Sequence, residues 1–440
     1  MFFHRAIRWQ RRGVGRWDGA LPWKARTRQA PIGAAGKTDL SGGLTAERPM
    51  ETASAPSRSG EFDLKSRIAT ASLAFRGYDV QNLGRSPELL AHPVYGPTVR
   101  RFLNTASAVA ADTLHRSFDL AGRVERQEPT TISAFAEDVG VIVSMEMAQL
   151  CLLEEFHGIS IRGARQTFGY SLGEMASVIS GGMFTMEELL PVPLGCADDC
   201  ADLAADTTLG VIFSRGPAIP LKDVQDLCIE VSNEGKGMVG VSSYLAPNTI
   251  LVIGQGDTLD RLEKAIPGRL PAKTMLRRKP HKLPPLHTPL VWQRNIPNRA
   301  AVALYKIPGN RPAPRPKVVS CVTGTASYDP LNARDTLVRW VDQPQLLWDV
   351  ILETLVEGVD LLVHVGPAPN LIPATFERLS NNVGKQFGNR YMKMLGHGVG
   401  SRMKRYTWLS RLLPTKAALL RAPHVEHVIL EDWLLDRPPA

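Results

Sequence analysis

The sequence predicts an α/β fold in which a large subdomain built on a parallel sheet is interrupted by a small inserted subdomain. Three observations carry this. Apolar runs that end in Gly or Gly-Pro, ASLAFRG and VDLLVHVGP, have the form of strands buried on both faces and delivering a loop. Residues of about 208–276 alternate as β-α-β-β-α-β, the order of a ferredoxin-like unit, and the α/β pattern resumes after them. Ahead of that unit stands GYSLGE, a Gly-x-Ser-x-Gly with a strand before it and a helix pattern after it, which gives the large subdomain an α/β-hydrolase-like character.

The first 60 residues hold eleven Lys and Arg against four Asp and Glu, most of the formal charge of +9. They are rich in small residues and Pro without apolar periodicity, so 1–62 reads as a disordered basic arm. It has no apolar core of the kind a secretory signal needs. The remainder is near neutral, which argues against nucleic acid as a partner. No apolar run reaches the roughly 18 residues of a transmembrane segment. The five cysteines are odd in number and scattered, which reads as a reduced, cytoplasmic compartment. Cys196-x-x-x-Cys200 has no second pair at metal spacing.

The large subdomain is expected over 66–207 and 277–384. SRIATASLAFRG supplies its first strand, and a turn and helix follow in NLGRSPELLAHPVYGPTVRRFLNTASAVAADTLHR. ISAFAEDVGVIVSMEMAQLCLLEEFHGIS is a long helix whose Met, Leu and Val residues are core packing. GARQTFGYS is a short strand into a turn, and LGEMASVISGG is a helix stopped by Gly181 and Gly182. The small subdomain, 208–276, opens on the strand LGVIFSRG and the helix LKDVQDLCIEVSN. MVGVSSYLAPNTILVIGQG then gives two strands around a Pro-Asn turn, and DTLDRLEKAI a helix with an Asp or Thr cap. PKVVSCVTG returns to the large sheet, and ARDTLVRWVDQPQLLWDVILETLVEG is helical with a break at Pro344. Residues 385–440 read as a helical C-terminal extension, basic first and acidic at EDWLLD.

The turn of a Gly-x-Ser-x-Gly brings backbone segments too close for a Cβ two residues before and two after the serine. Gly169 and Gly173 fill those places around Ser171. A serine hydroxyl needs a base. His287, in LPPLHTPLVW, lies in a Pro-flanked loop just past the inserted unit, where a lone histidine is more often structural than catalytic.

Taken in order, these residues resemble the malonyl-CoA:acyl carrier protein transacylases and the acyltransferase domains of fatty-acid and polyketide synthases. GYSLGE resembles the family's Gly-His-Ser-Leu-Gly-Glu, and His287-Thr288-Pro289-Leu290 its histidine motif. Ala246-Pro247-Asn248-Thr249 resembles its small-subdomain strand pair, and His364-Val365-Gly366-Pro367 its late Glu-Val-Gly-Pro. The likeness covers about 68–380. It implies that Ser171 takes an acyl group as an ester, with His287 as general base and then acid. It implies oxyanion donors in the backbone N–H groups of Leu172 and Tyr78. The implied substrates are a CoA thioester and a phosphopantetheine carrier, with acyl-CoA and an acyl carrier protein as partners, malonyl as the acyl group, and no bound metal or cofactor.

Three departures bear on specificity. Tyr170 replaces the histidine before the nucleophile, and Phe75-Arg76-Gly77-Tyr78-Asp79 replaces a Phe-Pro-Gly-Gln-Gly loop. Cys196 occupies the place, 25 residues after the serine, of the family arginine that pairs with a malonyl carboxylate. Arg76, Arg215, Arg277 and Arg278 are candidate replacements, and Gly77, Tyr170 and Asn248 complete the expected substrate-binding set. The family's glutamine near the histidine falls near Trp340. The RRKPHK run at 277–282 reads either as a contact for CoA phosphates or a carrier's acidic surface, or as a solvated loop. Asp79, Glu174 and His364 are assigned cap, helix-surface and strand roles. A non-catalytic scaffold and a serine hydrolase using the same Ser-His pair remain as alternatives.

Overall fold

The computed structural model describes residues 63–387 and 417–439. Its strands are β1 (Ala71–Phe75), β2 (Gln166–Gly169), β3 (Thr207–Ser214), β4 (Val239–Ala246), β5 (Thr249–Gln255), β6 (Thr274–Lys279), β7 (Lys317–Val319), β8 (Leu361–Val365) and β9 (Glu426–Ile429). They form two sheets. The first has five strands in the order β7-β2-β1-β8-β9, all pairs parallel. Every residue of β1, β2 and β8 is buried, as unbroken apolar runs require of a sheet covered on both faces. The long helix Phe135–His157, buried along most of its length, lies in the core cluster on one side.

The second sheet is antiparallel, in the order β4-β5-β3-β6, and its elements run β-α-β-β-α-β between β2 and β7. Alternation divides its two faces. Ile212, Ile250 and Val252 share a core with Leu227 and Leu262 of its helices Leu221–Asn233 and Thr258–Ala265. The opposite parity, with Leu209 across from Ile253 and Val211 across from Leu251, faces a cleft.

Position in the parallel sheet explains where chemistry can occur. Phe75 is in register with both Gly169 and Val365, so the loops leaving β1, β2 and β8 start side by side at the carboxyl edge. Tyr170 N donates to Phe75 O at 3.1 Å, and Arg76 N to Val365 O at 3.3 Å. Open α/β sheets bind ligands at this edge.

Two expectations change. The run SRIATASLAFRG is not strand throughout: Leu64–Arg67 and Ile68–Thr70 are helical turns, and the strand begins at Ala71. The helical extension expected over 385–440 instead contains β9, which pairs in parallel with β8 before the helix Leu430–Asp436. Four residues, EHVI, are too short a run to betray a strand by alternation, and the open edge of β8 supplies its ladder. The basic arm, 1–62, and 388–416 of the basic C-terminal stretch lie outside the described residues. Among the described residues no helix is long and apolar enough to cross a membrane.

The returning segment also fastens two loops. Glu431, 4 % exposed, accepts from Ala368 N at 2.8 Å and Arg85 N at 3.0 Å. Glu431→Ala would leave both backbone donors without that acceptor and should reduce the unfolding free energy by about 1–3 kcal/mol. Urea denaturation should show a lower midpoint at an unchanged slope; a midpoint equal to wild type contradicts the assigned role.

Candidate active site

Ser171 stands directly after β2, between that strand and the helix Leu172–Ser180, with φ 55° and ψ −120°. Such a backbone is sparsely populated for a residue with a Cβ and persists only where its surroundings hold it. Here they do. A Cβ on Gly169 would meet the Gly173 carbonyl, and one on Gly173 would meet the carbonyl oxygens of Phe75 and Arg76. The two glycines permit β1, β2 and the helix to converge behind the serine. Glu174 is not on the helix surface: it is fully buried and accepts from Ser320 Oγ, Tyr328 OH at 2.9 Å and Cys321 N at 3.1 Å. It pins the first turn of this helix to the segment after β7, and burial raises its carboxyl to about 7 despite these donors.

His287 reaches the serine from the loop after β6. Its Nε2 lies 2.7 Å from Ser171 Oγ, and its Nδ1 lies 2.7 Å from the carbonyl oxygen of Trp340. A carbonyl only accepts, so this contact places the proton on Nδ1 and leaves the Nε2 lone pair facing the hydroxyl. The residue is 3 % exposed, and its backbone N–H donates to Val341 O at 2.8 Å. Burial lowers the imidazole pKa to about 4, with the Trp340 carbonyl opposing the shift. The histidine is therefore neutral at neutral pH and oriented by a dipole rather than a carboxylate.

The loop after β1 packs against the serine turn. A Cβ on Gly77 would lie 2.6 Å from Tyr170 O and 3.1 Å from Ser171 Cβ, so only glycine allows this approach. Among the described residues, the backbone N–H groups of Tyr78 and Leu172 have no acceptor within the protein. Leu172 begins a helix, where a free N–H and the helix dipole favour negative charge. The loop is rigid by construction: Asp79 N donates to Asn82 Oδ1 at 3.0 Å, and Asn82 Nδ2 to Asp79 O at 2.7 Å. Arg76, 4 % exposed, braces it from beneath through Gly77 O, Gln81 O, Asn82 Oδ1 and Pro367 O.

This disposes of Arg76 as a substrate cation, because its guanidinium is committed to the loop. The other expected substitutes are also elsewhere. Arg215 is exposed and, with Asn248, borders a cavity of about 560 Å³ at the cleft mouth, not the pocket at Ser171. Asn248 donates through Nδ2 to Ser214 O at 3.0 Å and so fixes the β4–β5 turn. Arg277 lies over the Phe213 ring, and Arg278 pairs with Asp260 and Glu263. Cys196 is buried at the start of the helix Ala197–Ala205, beside Arg299, which is ion-paired to Asp199. Tyr170, Gly77 and Tyr78 line the cleft. Among the described residues no group of His, Cys, Asp and Glu is placed to hold a metal ion.

Sequence reasoning missed the segment that holds the site together. Trp340 Nε1 donates to Ser171 O at 2.8 Å while its own carbonyl orients His287. Gln345, fully buried, accepts from Ser171 N at 3.1 Å through Oε1. Its backbone bonds β4, receiving Tyr244 N at 2.8 Å and donating to Ser242 O at 3.0 Å. The available signals were the resemblance, which puts a glutamine near the histidine at about Trp340, and the break at Pro344, followed by a glutamine inside an otherwise apolar stretch.

No protein-family model matches this sequence, and no curated protein does. Solved structures do match in fold. A FabD from Acinetobacter baumannii superposes with TM-score 0.55 at 16% identity, covering 81% of this chain and 99% of its own. An MCAT from Streptococcus pneumoniae gives 0.56 at 18% identity, over 70% of this chain and 92% of its own. A malonyl-transacylase in complex with its type II PKS acyl-carrier protein gives 0.52 at 19% identity, over 69% and 91%. The chain has the fold of the malonyl-CoA:acyl carrier protein transacylases.

Proposed function

We propose that this protein is an acyltransferase that moves an acyl group from a CoA thioester to the phosphopantetheine thiol of an acyl carrier protein through an ester on Ser171. The observation that carries the reading is the 2.7 Å contact between Ser171 Oγ and a neutral, carbonyl-oriented His287 Nε2, with two unengaged backbone N–H groups beside it. The hydroxyl proton passes to Nε2 as Oγ attacks the thioester carbonyl. Leu172 and Tyr78 N–H groups stabilise the tetrahedral oxyanion. Collapse breaks the C–S bond, and the departing CoA sulfur takes the proton from Nε2. The carrier thiol then gives its proton to Nε2, attacks the ester carbonyl, and the Ser171 oxygen leaves and recovers that proton.

The cleft supports a thioester carried on a long arm. From the pocket at Ser171 it widens to a cavity of about 320 Å³ between Tyr170, Leu209, Leu251 and Leu371, then opens to the mouth, where Arg215, Arg277, Lys279 and Arg378 gather. Strand alternation places Arg277 and Lys279 there and turns Arg278 away. Phosphates or an acidic carrier surface would meet that charge. The fold neighbours named as malonyltransferases, and the one solved with its carrier, support the same reading.

Four measurements test it. With radiolabelled acyl-CoA and a holo carrier protein, label should pass through the protein to the carrier; release as free acid would mark a hydrolase, and no uptake a scaffold. Ser171→Ala and His287→Ala should each lower transfer by about 10³-fold or more, with circular dichroism unchanged. The acylation rate with an N-acetylcysteamine thioester, which carries no titrating phosphate, should be flat from about pH 5.5 to 8 and fall only toward pH 4, because the base must be unprotonated. An acid limb at the ordinary histidine value of 6.5 would contradict the buried, dipole-paired base. Replacing both Arg277 and Lys279 by Ala should raise KM for a CoA donor about tenfold and flatten its salt dependence. An unchanged KM removes the mouth from the binding path.

A further inference from the structure

We propose that the acyl group held on Ser171 is short and uncharged, of about two to four carbons, rather than a malonyl group with its free carboxylate. This rests on the reading of Ser171 as the acylated nucleophile. The pocket against Ser171 and His287 is walled by Phe135, Val139, Pro193, Ile253, Leu286 and Trp340. Its polar lining is limited to Tyr78, Tyr170, Ser171, Ser242 and His287. Among the described residues no lysine or arginine lines it.

The described cations of the cleft lie outside this pocket, with Lys279 and Arg378 in the wider cavity beyond it. Arg76 is spent on four oxygens of its own loop and the loop after β8. Arg299 pairs with Asp199, and Arg215 and Arg277 stand at the mouth. His287 is uncharged at neutral pH, since burial holds its pKa near about 4, and its Nδ1–H is already given to Trp340. A malonyl carboxylate would have to leave water for an apolar wall without a counter-ion, which is unfavourable for the bound acyl group and for the transition state alike. A methyl or ethyl end meets only carbon.

Size sets the other limit. The pocket measures about 60 Å³, under half of the ~150 Å³ that an engineered apolar cavity needs to take a six-carbon ring. Phe135 and Val139 come from one buried helix, and Phe135 is locked edge-on to Tyr78 at 4.8 Å. The far wall is therefore fixed by core packing and not by a mobile loop.

The test is single-turnover acylation of the full chain, followed by intact-protein mass spectrometry, with acetyl-, propionyl-, butyryl-, hexanoyl- and malonyl-CoA. Acetyl to butyryl should acylate about 100-fold or more faster than malonyl, and butyryl faster than hexanoyl by a similar factor. Malonyl at or above the acetyl rate, on a serine-dependent adduct, overturns this inference and leaves the acyltransferase reading intact. No Ser171-dependent adduct from any donor overturns that reading, and this inference with it. Val139→Ala, which enlarges the wall without adding charge, should shift the preferred chain toward hexanoyl while malonyl stays slow; an unshifted preference contradicts the assignment of this pocket to the acyl chain.

Discussion

The chemistry available to this protein depends on one hydrogen bond between residues 116 positions apart. Ser171 belongs to the parallel sheet, and His287 arrives on the loop that leaves the antiparallel sheet. Neither sheet alone fixes the distance between them. Residues 340–345 do, because they touch all three parties. The Trp340 indole holds the serine carbonyl and its backbone oxygen holds the imidazole, while Gln345 receives the serine N–H and joins the edge of β4. The break at Pro344 frees this segment from helical bonding and leaves its backbone groups for the site. A serine backbone at positive φ, which costs about 1–3 kcal/mol in isolation, is stable here because packing and hydrogen bonds over-determine it.

A second consequence follows from using a carbonyl where many serine sites use a carboxylate. A dipole orients the imidazole and selects its tautomer, yet it adds no full negative charge to lift the pKa of a buried ring. The site is thus almost free of net charge from the apolar pocket through to the tyrosines. Among the described residues, Lys279 and Arg378 already line the wider cavity, and with Arg215 and Arg277 they gather at the mouth. Polarity rises along the cleft in the order in which an acyl group, a pantetheine arm and a phosphate or acidic protein surface would occupy it.

Much of this was legible in the sequence, and the rest has identifiable physical reasons for being hidden. The buried strands announced themselves as unbroken apolar runs, and the small sheet by regular alternation of element type. GYSLGE was readable because a sharp strand-to-helix turn forbids a Cβ at Gly169 and Gly173, so steric demand is written directly into residue identity. The role of Trp340 was not, since a main-chain carbonyl can be offered by any residue. Gln345 and Glu431 act on backbone groups far away in the chain, and such pairings leave no local pattern. β9 escaped for a similar reason: four residues gain their strand character from β8, not from their own periodicity. Arg76 misled in the opposite direction, since its identity suggested a ligand cation while its burial shows a brace.

The most direct measurement is acid-quenched peptide mapping after brief exposure to an acyl-CoA without a carrier. The account predicts one acyl group per chain, as a base-labile ester on the peptide containing Ser171, absent in Ser171→Ala and discharged when a holo carrier protein is added before the quench. An acyl group on a cysteine, on any other peptide, or still present after carrier addition would contradict it.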